Sequence, residues 1–84
     1  MKFDYILTEN LMARTAAQLN FELCKFNFNI YIIKNDRLIN AKSIIGLLSG
    51  ELSKGDKITI DTSENDENEI NKLKQVLNEI GREV

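Results

Sequence analysis

The apolar residues of this chain switch repeatedly between a two-residue and a 3.6-residue period, and each switch falls on a turn signal. Lys2 to Leu7 alternates, with Phe3, Tyr5 and Leu7 on one face and Asp4 on the other. From about Ala13 or Arg14 the spacing of Ala16, Leu19, Leu23 and Phe26 predicts a helix ending near Phe26-Asn27, with Gln18, Glu22 and Lys25 outward. Asn29 to Lys34 is β-branched and aromatic, and Asn35-Asp36 tolerates the positive φ of a tight hairpin, so Leu38 to Ala41 reads as the returning strand. A short apolar helix begins after Ser43 and fades by Gly50 to Leu52. Lys57 to Thr62 alternates cleanly after a Lys54-Gly55-Asp56 turn. Asp66, Glu67 and Glu69 suit the positive end of a last helix buried through Ile70, Leu73, Val76, Leu77 and Ile80, with Gly81 as its stop. The order β-α-β-β-α-β-α puts three amphipathic helices over four strands, an α/β (α+β) two-layer sandwich.

Length confines this pattern to a single domain, residues 1–84, with one core. A net charge of −2, without a basic run or a Cys/His metal spacing, speaks against direct nucleic-acid binding and against a metal site. No apolar run is long enough to span a bilayer and no signal-peptide pattern occurs, so a cytoplasmic protein without membrane contact is expected. The lone Cys24 falls in a helical pattern and is expected to be a small structural residue. The chain contains no histidine, which removes the usual general base, metal ligand and phosphoryl acceptor. Paired carboxylates such as Asp66/Glu67 lie in a solvated acidic stretch. No enzyme and no cofactor is expected.

The stretch Asn40-Ala41-Lys42-Ser43-Ile44-Ile45-Gly46-Leu47-Leu48-Ser49 is the most informative part. Ser43 is a natural N-cap, its oxygen able to accept a bond from an amide one turn on. Ile44, Ile45, Leu47 and Leu48 are too apolar for one narrow stripe, so some of them should remain on the surface. A phosphate on Ser43 would meet free amides and the helix dipole beside that hydrophobic knob. Taken alone, a serine at a helix start reads as a plain cap, serine being among the preferred caps.

That segment, with Ala13-Arg14 after the first strand and the overall element order, resembles the HPr phosphocarrier family of the bacterial sugar phosphotransferase system over nearly the whole chain. The resemblance implies an open-faced sandwich with an antiparallel sheet in the order 1-4-2-3 and three helices on one face. It makes Ser43 the regulatory phosphorylation site of the Gram-positive branch. It also places Met12 where the family carries its phospho-accepting histidine, and Thr15 where a proline follows Ala-Arg. A thioether has no proton to give and accepts weakly, so carrier activity through this position is not expected. Arg14, which would steady a phosphate, is kept. Asn10 and Gly50-Glu51-Leu52 depart from the family run in loops near the docking face.

The group most similar in type is the histidine-less catabolite-repression HPr-like regulators. The resemblance then implies HPr kinase/phosphorylase as the modifying enzyme and a LacI-type catabolite control repressor as receiver, with other phosphotransferase proteins as further partners. Leu11, Met12, Ile44, Leu47 and Leu48 would form an apolar contact patch with Arg14 at its rim. The alternative is a constitutive interaction module, or a diverged copy that has lost both phosphorylations, with Ser43 a cap and Met12 a space filler. With the first strand at a sheet edge, its exchange between subunits would be a route to a homodimer.

Overall fold

The computed structural model describes residues 1–84. Its elements are β1 (Lys2–Leu7), α1 (Ala13–Leu23), β2 (Ile30–Lys34), β3 (Arg37–Asn40), α2 (Ile44–Ser49), β4 (Lys57–Thr62), α3 (Glu67–Leu77) and β5 (Gly81–Glu83). The sheet runs β3-β2-β4-β1-β5 with every pairing antiparallel. The expected 1-4-2-3 order is therefore present with a fifth strand added outside β1.

The alternation expected in the strands is what buries them. Tyr5 and Leu7 of β1, Ile30 and Ile32 of β2, and Ile58 and Ile60 of β4 are all core residues. They meet Ala16, Leu19 and Leu23 of α1 and Leu73 and Leu77 of α3 in one hydrophobic cluster. Asn35 and Asp36 both take positive φ, 49° and 69°, as a two-residue hairpin turn requires. Asp66 caps α3 by accepting from the Asn68 and Glu69 amides at 2.8 and 3.2 Å. The Tyr5 hydroxyl donates to Asn78 Oδ1 at 2.9 Å, joining β1 to the end of α3. Burial first, and the Glu83 carboxylate second, push this phenol up to about 12.

Three expectations are corrected. β1 is not an edge strand: Tyr5, Ile6 and Leu7 pair with Glu83, Arg82 and Gly81 on the side away from β4. Gly81 opens β5 rather than merely ending α3. A Cβ there would come within 2.7 Å of the Ile6 carbonyl oxygen, so only glycine lets the strand approach β1 so closely. Finally, α1 stops at Leu23, not near Phe26-Asn27, so Cys24 is its exposed C-cap rather than a residue within the helix. No helix is long and apolar enough to cross a membrane.

Candidate functional site: two helix starts and the surface beside them

α2 begins with a closed start. Ser43 is extended (φ −104°, ψ 117°) and its Oγ accepts from the Gly46 amide at 3.1 Å. Its own amide donates to the Asn40 carbonyl at 3.0 Å, and Asn40 Oδ1 accepts from the Lys42 amide at 3.0 Å. These bonds leave the half-buried Ser43 hydroxyl with its proton uncommitted. At the other end, Arg37 Nη2 and Lys34 Nζ donate to the Gly50 and Glu51 carbonyls at 2.5 and 2.6 Å. Arg37 thus satisfies the carbonyl of the C-cap Gly50, and Lys34 that of the residue just beyond the helix. Lys34 also pairs with Asp56 at 2.8 Å, holding that carboxyl below its usual range. The causes, in order of size, are this side-chain bond and the Ser53 amide.

α1 begins with an open start. Met12 is its N-cap, extended and without a side-chain cap bond. Ala13, its first residue, has φ +49°, a conformation that costs a residue with a Cβ about 1–2 kcal/mol. No acidic residue lies in the first turn and no side chain caps its amides, of which Thr15's donates to the Met12 carbonyl at 3.2 Å. The loop ahead is tied down: Leu11 N donates to the Leu52 carbonyl at 2.9 Å, and Asn10 Oδ1 accepts from the Lys54 amide at 2.8 Å. Arg14 is exposed and forms no ion pair with the protein.

α1 and α2 pack side by side, and the surface beside their starts is apolar. Met12 is 63 % exposed, Ile45 73 %, Leu48 47 % and Ile44 36 %. Two residues expected in this patch belong to the core instead: Leu11 is 2 % and Leu47 0 % exposed. They support the patch from below and cannot touch a partner. Ile45, by contrast, is the most exposed of the large apolar residues of α2. Phe21, on the same stripe of α1 as Arg14 and Gln18, was not singled out in the sequence and is exposed under the Lys25 ammonium, which lies 4.7 Å from the ring centroid. Its signal was available: it falls between the core positions Leu19 and Leu23 in the helical period. No group of three His, Cys, Asp or Glu side chains converges to hold a metal ion.

The molecule is thus an antiparallel open-faced sandwich with a serine-capped second helix beside an uncapped first one. A family model described as the phosphorylation site of the PTS HPr component matches residues 3–79. The chain belongs to the HPr family of the phosphotransferase system. It is 43 % identical over 63 residues to the HPr-like protein Crh of Halalkalibacterium halodurans, an alignment covering 75 % of each chain. Among solved structures it resembles a histidine-containing phosphocarrier protein from Mycoplasma, with a TM-score of 0.78 and 38 % identity over 92 % of this chain and 91 % of the other. It also resembles Crh of Bacillus subtilis, described as a catabolite repression protein that forms a swapped dimer, with a TM-score of 0.67 and 34 % identity over 84 % of this chain and 79 % of that one.

Proposed function

We propose that this protein is a regulatory HPr-like switch in carbon catabolite control, set by phosphorylation of Ser43 and unable to relay phosphate through histidine. The absence of any histidine carries the second half of that reading. The first half is supported by Ser43 at a helix start bordered by exposed Ile44, Ile45 and Leu48, and by the similarity to proteins named Crh. Met12 occupies the position of the family's phosphoryl acceptor, at the open start of α1. The amides and Arg14 there can attract an anion, but the thioether can neither accept nor release a phosphoryl group.

In the reaction an HPr kinase/phosphorylase transfers the γ-phosphoryl of ATP to Ser43 Oγ. The Oγ–P bond forms, ADP leaves, and a base on the kinase takes the hydroxyl proton. Ser43 gains close to two negative charges next to an apolar patch. A receiver with paired cations and an apolar groove then binds both features together. A LacI-type catabolite control repressor fits that description, with this protein as corepressor or adaptor and no DNA contact of its own. Ile44, Ile45, Leu48 and Met12 supply the apolar contact and Arg14 its charged rim.

Intact mass after incubation with a Gram-positive HPr kinase and ATP tests the switch. One added phosphate, absent in Ser43→Ala, is expected; no addition would leave Ser43 as a cap and the protein a constitutive interaction module. Enzyme I with phosphoenolpyruvate is expected to add nothing.

A further inference from the structure

Lys42 immediately precedes Ser43, yet its side chain turns away toward the end of α1. Its Nζ donates to the Phe26 carbonyl at 2.5 Å. Cys24, the C-cap of α1, donates from Sγ to the Lys42 carbonyl at 3.5 Å. Together these bonds fasten the last turn of α1, and the Phe26–Phe28 ring pair that follows it, to the entry of α2. The cations nearest in role are already committed: Lys25 holds Glu22 at 3.3 Å and Lys34 holds Asp56 at 2.8 Å. Lys42 has no carboxylate partner and holds only a neutral acceptor.

We propose that Lys42 is a two-position latch that reports the state of Ser43 to the end of α1. This rests on Ser43 being phosphorylated. A neutral carbonyl holds an ammonium less strongly than a phosphate dianion does, because the carbonyl offers only a dipole where the phosphate adds direct attraction between opposite charges. The lysine stem is flexible and its three donors rotate freely, so the ammonium can change acceptor without moving the backbone. With Ser43 free, the ammonium stays on Phe26 and the end of α1 is clasped to α2. With phosphate on Ser43, it crosses to the phosphate and the Phe26 carbonyl is released to water. The modification of one helix start then loosens the far end of its neighbour, and no covalent bond changes in that step.

The test uses the full chain joined by native chemical ligation at Cys24, with phosphoserine built in at position 43, so the outcome does not depend on any kinase. The carbonyl carbon shift of Phe26 and the phosphorus titration of the phosphoserine are read by NMR. The Phe26 shift of the phosphorylated chain is expected to match that of unmodified Lys42→Met. The phosphoserine pKa, ordinarily about 6, is expected to lie about half a unit lower with Lys42 than in phosphorylated Lys42→Met. An unmoved Phe26 carbonyl overturns the latch, whatever the titration shows. A moved carbonyl with the same pKa in both chains overturns it equally, since the ammonium would have left Phe26 without reaching the phosphate.

Discussion

α1 and α2 pack side by side, and their starts, at opposite ends of the pair, are built in opposite ways. At α2 the side chain of Ser43 closes the helix, and cations from the β2–β3 hairpin close its other end. At α1 Met12 offers no oxygen, and Ala13 is held at φ +49°. A start left open and strained contributes less to stability than a closed one, and it persists here because the loop before it is anchored to Leu52 and Lys54. Of these two, the helix with the better local chemistry is thus the shorter one, and the longer α1 relies on Ala16, Leu19 and Leu23 in the core.

The largest test of this contrast lies on α2 itself. Leu47→Ala, in the core, is expected to cost about 2–5 kcal/mol, while Ile45→Ala should stay within about 0.5 kcal/mol; urea denaturation midpoints distinguish the two. Equal losses would mean that the helix does not present Ile45 outward. Removing the closed start should come next. Ser43→Ala is expected to cost about 1 kcal/mol, and Met12→Ser to add up to about 1 kcal/mol by closing the open start. A thermal melt in which Met12→Ser gains nothing would show that the start is satisfied in another way. Ala13→Gly should relieve the strained φ and raise stability by somewhat less than 1 kcal/mol, about the cost of glycine's extra freedom having been deducted.

The smallest effect concerns the loop behind α2. The folded pKa of Asp56 is lowered, so its ionised form contributes stability that is present above the unfolded carboxyl value and is lost as pH falls through the folded one. The stability difference between the wild type and Asp56→Asn should therefore narrow on acidification below about pH 4. A difference constant across that range would show that Lys34 does not favour the ionised form.

The elements that carry long periodic patterns were legible in the sequence: β1, β2, β4 and α3 lie where alternation or helical spacing puts them, and α1 begins where expected but ends at Leu23, short of Phe26-Asn27. β5 was not, because Gly81–Glu83 is too short to show a period and its register comes from pairing with β1. The outline of the site was readable, and its depth was not. Ser43 caps α2 as its position implied. In a helix of six residues that is apolar nearly all round, however, spacing cannot say that Leu47 faces in while Ile45 and Leu48 face out. Leu11 lies in a loop, where no period exists to be read, and its burial follows from the backbone bond to Leu52. Cys24 was misplaced because α1 ends at Leu23, before the apolar stripe does.

The position of β1 between β4 and β5 has a consequence in time. A strand at the rim can fray and find another chain in a fluctuation far smaller than unfolding. Here Tyr5 and Ile6 of β1 are zipped on both sides, and Tyr5 is wholly buried beneath α3. Handing this strand to a second copy means opening two ladders and the core at once, so the exchange would proceed at nearly the pace of global unfolding. Any monomer and strand-exchanged dimer of this chain would then behave as separate, slowly interconverting species, and the form first made during folding would be the form that lasts.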